Sequence, residues 1–363
     1  MSMPRRTVCL SAALLLLAFP SCTGIGLRPN RPASAAEAPP PSVLDQGDIL
    51  ITEATSPFQH VQVVLHSREV ERGAREWSLR LVSGGLTQSE VLVESGDPKS
   101  IRLKQPFTSG AKYIDLLFLP FLFTPKPSTL LMVGGGGGVL PTLLRRDCPD
   151  LKMDVVEIDP VMVQLAERHF GYRPNDSGTK THVMDGRAYV RDCAKKYDVI
   201  VLDAFSGRGS PPQLVTREFF QLVKSRLTDQ GVADLNIISA LDGPEGSFYR
   251  SVLKSVLAVF GPDHVYVFPK WYDPRWGPTA EYARRRDRIN IQILATSFDT
   301  APSPLPREEI VRRAERLIES GRFRVPSLPL HARNYLPDEV KRDLSADPIL
   351  TDPPPDAKRT GSK

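Results

Sequence analysis

The sequence predicts an α/β fold: a mostly parallel, seven-stranded Rossmann-like sheet preceded by a small antiparallel β domain. Three observations carry this. Five consecutive glycines, Gly134–Gly138, follow the apolar run Leu130–Val133, as they do where a parallel strand turns sharply into a helix beside a ligand. About twenty residues on, a second strand-like run, Met153–Glu157, ends in a carboxylate, the spacing at which such folds place an acid for a ribose diol. From Ser128 onward apolar runs alternate with amphipathic segments, and the last two runs have no full helix between them.

In chain order, Val61–Leu65, Trp77–Val82 and Glu90–Val93 read as strands, punctuated by Gly84-Gly85 and Gly96-Asp97-Pro98. The apolar run Leu116–Phe123 reads as a buried helix before the large sheet, with a homodimer contact surface as the alternative. Sheet strands are expected at Leu130–Val133, Met153–Ile158, Thr181–Met184, Asp198–Leu202, Val232–Ile238, Val265–Phe268 and Ile289–Ala295. Asp159 and Pro160 suit the cap and first turn of a helix carrying Val161, Met162, Leu165 and Ala166. Thr216 caps a helix carrying Phe219, Phe220, Val223 and Leu227 that stops near Gly231. A third helix, with Val252, Leu253, Val256 and Val259, ends at Gly261-Pro262. Five β-α units followed by two strands, the last antiparallel, form the class I methyltransferase arrangement. Past Thr300, proline-rich segments flank one amphipathic helix, Glu308–Ser320, and the residues from Pro353 read as disordered.

The chain has 363 residues, enough for a full core, and no internal repeat. Its net charge of +5 is gathered in clusters such as Arg284–Arg286, read as a solvated basic loop, so no nucleic-acid partner is implied. Residues 1–22 read as an export signal: Arg5 and Arg6 precede an apolar core, Leu10–Ala18, too short to span a bilayer. Cleavage is expected either at Cys22, as a lipid-anchored lipoprotein, or near Ala33–Ala35, followed by a proline- and alanine-rich tether over 23–47. The expected address is the bacterial cell envelope or periplasm, or the cytoplasm if the head has another role. The remaining divisions are 48–107 for the β domain, 108–300 for the nucleoside-binding domain and 301–363 for a C-terminal helix and tail. Once the head is removed, Cys148 and Cys193 remain, with no metal-ligand spacing and no disulfide framework.

Ligands of open parallel sheets bind beyond the carboxyl ends of the strands. The residues there are the glycine turn (Gly134, Gly135, Gly136 and Gly138), Glu157, Asp185 with Gly186, and Asp203. Any one acid could cap a helix or solvate a loop. Three at successive strand ends point to a small-molecule nucleoside ligand, with Glu157 on ribose hydroxyls, Asp185 on an adenine amino group and the glycines leaving room for an amino-acid-like tail. The blander role for Asp203 is to cap the turn Ala204–Gly207.

The ordered set of motifs is more specific than the glycines alone. It comprises Val156-Glu157-Ile158-Asp159-Pro160, Met184-Asp185-Gly186-Arg187, Tyr197-Asp198-Val199-Ile200 and Thr216-Arg217-Glu218-Phe219-Phe220, with Ser56-Pro57-Phe58-Gln59 and Gly84-Gly85-Leu86-Thr87-Gln88 upstream. Across roughly Thr52–Ala295 the chain resembles the spermidine and spermine synthase (polyamine aminopropyltransferase) family, in its synthase-like bacterial branch. The resemblance implies decarboxylated S-adenosylmethionine or S-adenosylmethionine as co-substrate, no metal, and a homodimer. It also implies ligand contacts by Gln59 and Gln88, and an active-site pair of Asp203, which binds and deprotonates the acceptor amine, and Tyr113 as its helper.

The chain departs from that family's pattern at two acids. Gly136 stands where the family has an acid in the glycine loop, and Ser206, followed by Arg208, where it has a second acid after the one matched by Asp203. Fewer anions and an added guanidinium weaken the hold on a polycation, each charge-assisted contact being worth about 1.5–3 kcal/mol. Three functions therefore stand side by side: aminopropyl transfer, methyl transfer from intact S-adenosylmethionine, whose carboxylate takes the space left at Gly136, and an envelope-tethered binding protein without catalysis. Trp271, Tyr272 and Trp276, between the last two strands, are read either as a closure over the ligand or as a packed hairpin extension.

Overall fold

A computed structural model describes residues 47–70, 73–205, 209–270 and 285–353. Residues 1–46, with the expected export signal and Cys22, Ser206, Arg208, Arg284, the aromatic trio Trp271, Tyr272 and Trp276, and the tail after Pro353 lie outside the described residues.

Two sheets organise the chain. The first is an antiparallel meander of β1 (Ile49–Thr55), β2 (His60–Glu69), β3 (Arg75–Ser83) and β4 (Leu86–Val93). Strand β1 was not anticipated; as a half-exposed edge with polar residues interleaved, it carries little apolar alternation. The second sheet comprises β5 (Thr129–Val133), β6 (Lys152–Glu157), β7 (Thr179–Val183), β8 (Tyr197–Leu202), β9 (Leu227–Ser239), β10 (Val265–Pro269) and β11 (Ile289–Thr296). Its order is β10-β11-β9-β8-β5-β6-β7, parallel from β9 to β7, with β11 inserted antiparallel between β9 and β10. This is the predicted arrangement, and it puts the change of winding direction between β5 and β8, where such sheets bind ligands.

Helices cover both faces. Helices α1 (Val139–Asp147) and α2 (Pro160–His169) share one core with the small sheet and with the 3-10 helix Lys112–Leu122. On the other face, α3 (Gly186–Asp192), α4 (Arg217–Ser225) and α5 (Ser247–Phe260) pack on Ile200, Leu202 and Leu235. The run Leu116–Phe123 is wholly buried under the sheet, so it offers no surface for a dimer contact. It is 3-10 rather than α, with Pro120 inside it.

Two further expectations are corrected. The helix capped by Thr216 stops at Ser225, not near Gly231: Arg226 donates its guanidinium to the carbonyls of Val190 and Arg191, and its own carbonyl accepts from Tyr197, so Leu227 already begins β9. Leu227 continued the helical spacing, and the apolar pattern alone could not separate the two. In the basic cluster Arg285 is not solvated but pairs with Asp242 and with Glu339, while Arg286 is exposed as expected. Downstream, α6 (Arg307–Glu319) is the predicted amphipathic helix, and a short α7 (Leu328–Ala332) follows it.

Candidate functional site

The glycine turn is shaped by contacts that no side chain would permit. Gly134 has φ 95°, and a Cβ there would lie 2.3 Å from the carbonyl oxygen of Asp203. Gly138, at φ 66°, faces the Tyr172 ring in the same way. The turn is tied down from two sides. Glu157 Oε2 accepts from the Gly135 and Gly136 N–H groups at 2.8 and 3.2 Å, and Ser89 Oγ, from β4 of the small sheet, accepts from Gly137 at 2.8 Å.

Each acid ends a strand of the large sheet. Glu157 closes β6, with its Oε1 accepting from the Asp159 N–H at 3.0 Å; burial pushes its pKa up, while those backbone donors hold it down. Asp185 follows β7 and caps α3, accepting from the Ala188 N–H at 2.8 Å. Its capping role is therefore real, and the bond uses one of its two oxygens. Asp203 follows β8 and accepts from the Asn236 side-chain amide at 2.7 Å. Burial raises its pKa to about 7, with the Asn236 donor opposing.

These residues converge on one cavity of about 310 Å³, lined by Gln59, Gln88, Gly134, Gly136, Glu157, Asp185, Gly186 and Asp203. Phe58 and the segment Pro211–Leu214 complete its wall. Gln59 is held between Ser83, whose hydroxyl donates to its Oε1 at 2.7 Å, and Asp159, which accepts from its amide at 3.2 Å. Ser56 donates to the same Asp159 oxygen, so the small sheet is fastened to the cap of α2. Gly135 and Gly138 shape the turn from behind the wall. Tyr113 also lies behind it, donating its hydroxyl to the Gln88 carbonyl at 3.0 Å, and burial and the nearby Asp203 keep it protonated.

Residues 114–236, from the buried 3-10 helix to Asn236 on β9, match a spermine/spermidine synthase domain. Over that stretch the chain is similar to the spermidine/spermine synthase family. A polyamine aminopropyltransferase from Vibrio vulnificus is 40% identical over 164 residues, covering 44% of this chain and 52% of that protein. The human eEF1A lysine and N-terminal methyltransferase is 38% identical over 157 residues, 40% of this chain and 22% of that one. This chain thus spans about half of the first relative and about a fifth of the second. The fold is shared with a probable spermidine synthase from Corynebacterium glutamicum at a TM-score of 0.55, 20% identity, and coverage of 80% of this chain and 94% of that one.

At this site, sequence reasoning missed the partners that hold the cavity's residues in place. Ser89, Asp159 and Asn236 each fix a residue of the cavity from another element. Arg187 is a fourth: it pairs with Asp352, donates to the Gln213 carbonyl at 2.6 Å, and so ties the Pro211–Leu214 wall to the C-terminal segment. The signal for Asn236 was present, since Asp234 and Asn236 interrupt an otherwise apolar strand at alternate positions.

Proposed function

We propose that the protein is an aminopropyltransferase of the spermidine synthase type that takes decarboxylated S-adenosylmethionine into the cavity beside the glycine turn. The observation that carries this reading is the placing of Glu157, Asp185 and Asp203 on one cavity wall, with Asp203 poised to titrate at about 7. Glu157 accepts from the ribose hydroxyls, and the free Asp185 oxygen accepts from the adenine amino group. Asp203 holds the acceptor amine and takes its proton. The freed nitrogen lone pair forms the new N–C bond in line with the breaking C–S bond, whose electrons return to sulfur and turn the sulfonium into a neutral thioether. A base with a pKa near neutrality is suited to that transfer at physiological pH.

Methyl transfer from intact S-adenosylmethionine is the second reading, favoured by Gly136 on the cavity wall, which leaves space for a carboxylate, and by the methyltransferase relatives. The export signal, and anchoring at Cys22, belong to the same proposal: the protein works at the cell envelope. Product formation from decarboxylated S-adenosylmethionine and putrescine tests the main reading. Turnover that is lost on Asp203→Asn supports it; absence of turnover, or turnover unchanged in that variant, rejects it.

A further inference from the structure

The sheet edge opposite the nucleoside cavity carries a second, larger cavity. It holds about 480 Å³, against about 310 Å³ for the first, and the two share no lining residue. One wall is Pro125 and Lys126, just ahead of β5; Val133 and Gly134, at the far end of that strand, border the nucleoside cavity. Strand β5 keeps the two roughly 13 Å apart. The buried 3-10 helix runs the same way, with Tyr113 behind the nucleoside cavity and Phe121 and Leu122 in the wall of the second. The opposite wall is one side of α6, where Glu309, Arg313 and Arg316 follow one another at helical spacing.

The floor is apolar and the rim is cationic. Buried Phe121, Phe123 and Leu317 make the floor. Lys126, Arg313, Arg316 and Arg322 stand around it, and Glu309 is the one acid among the lining residues. That carboxylate is already shared: it accepts from Arg313 Nε at 3.1 Å and Arg316 Nη2 at 3.0 Å, and it pairs with Arg312, outside the cavity, at 3.1 Å. Arg313 also donates to the Leu122 carbonyl at 3.2 Å, which fastens α6 to the end of the 3-10 helix and fixes the walls. Among the described residues neither Lys126 nor Arg322 has a carboxylate partner; Arg322 lies over the Phe323 ring and beside the Cys148 thiol. Four cations against one shared acid leave a positive excess gathered over an apolar floor. A cavity of this size, apolar within and with a few convergent polar groups, is the form in which proteins take small organic ligands.

We propose that this cavity binds a small organic phosphate, a phosphate monoester with an apolar body. Guanidinium forks and a lysine ammonium match the oxygens and the double charge of such a phosphate. The apolar body covers Phe121, Phe123 and Leu317, which inorganic phosphate would leave wet. A neutral apolar molecule would cover the floor and leave the cations unanswered. The site is remote from Asp203 and the glycine turn, so it is additional to the transfer reaction and stands whatever chemistry the nucleoside cavity performs.

Calorimetry on the full chain tests it, with naphthyl phosphate as the probe and inorganic phosphate and naphthol beside it. Lys126→Gln and Arg316→Gln each remove an exposed rim cation, and Arg312→Gln removes a cation that shares Glu309 without lining the cavity. The expected result is saturable one-to-one binding of naphthyl phosphate, at least about tenfold tighter than either simpler probe. That affinity falls by about tenfold or more in Lys126→Gln and in Arg316→Gln, and stays within about threefold in Arg312→Gln. It is unchanged when decarboxylated S-adenosylmethionine is added to saturation. No saturable binding in the wild type, unchanged affinity in both rim variants, or an equal loss in Arg312→Gln overturns the inference. So does competition by decarboxylated S-adenosylmethionine, which would put the probe in the nucleoside cavity. Binding to phosphatidic acid vesicles without binding of naphthyl phosphate would make the rim a membrane contact and overturn it as well.

Discussion

The side-chain amide of Asn236 donates to Asp203 Oδ1 at 2.7 Å, joining the middle of β9 to the end of β8 at the cavity floor. Burial raises the Asp203 pKa to about 7, and this bond is the contact that opposes the rise. Asn236→Ala is therefore expected to raise it further and to move the rising limb of the pH–rate profile to higher pH. An unmoved limb would remove Asp203 as the titrating base.

A carboxyl whose folded pKa lies above its unfolded value binds more protons when folded, so its contribution to stability falls as pH rises from about 4 to about 7. Asp203→Asn abolishes this slope. Denaturation midpoints at pH 5 and pH 8 should converge in the variant relative to the wild type, and parallel behaviour would show that Asp203 is not buried as described.

Asp203→Asn is also expected to lower the transfer rate by roughly 10²–10⁴-fold, the usual worth of a general base. Nucleoside affinity should stay within about threefold, since ribose and adenine are assigned to Glu157 and Asp185. Rate measurements paired with calorimetry check the split; equal losses in both would make Asp203 a binding residue only.

Gly134→Ala places a methyl against the Asp203 carbonyl and forces alanine to φ 95°. Strain of this kind costs more than about 1 kcal/mol, so the variant should melt clearly below Gly209→Ala, where a Cβ meets nothing within 4 Å. Equal melting temperatures would contradict the described turn.

The acids Glu157, Asp185 and Asp203 were legible because each ends an apolar run, and a parallel sheet brings successive strand ends to one edge. The glycine turn was legible for the same reason. What escaped notice depends on register between distant segments: Ser89 reaches Gly137 from 48 residues away, and Gln292 meets Asn236 only because β11 inserts between β9 and β10. Spacing along the chain carries no such information. The end of α4 was misplaced because Leu227 fits a helix stripe and a buried strand equally well, and the partner that decides, Tyr197, lies on another strand.

The central claim is that the acids at the strand ends enclose one nucleoside-binding cavity. Calorimetric titration of the full chain with decarboxylated S-adenosylmethionine, in the wild type and in Glu157→Gln, tests it most directly. Saturable one-to-one binding that weakens by about tenfold or more in the variant is predicted, from the worth of a charge-assisted hydrogen bond. No saturable binding, or equal affinity in both proteins, would contradict it.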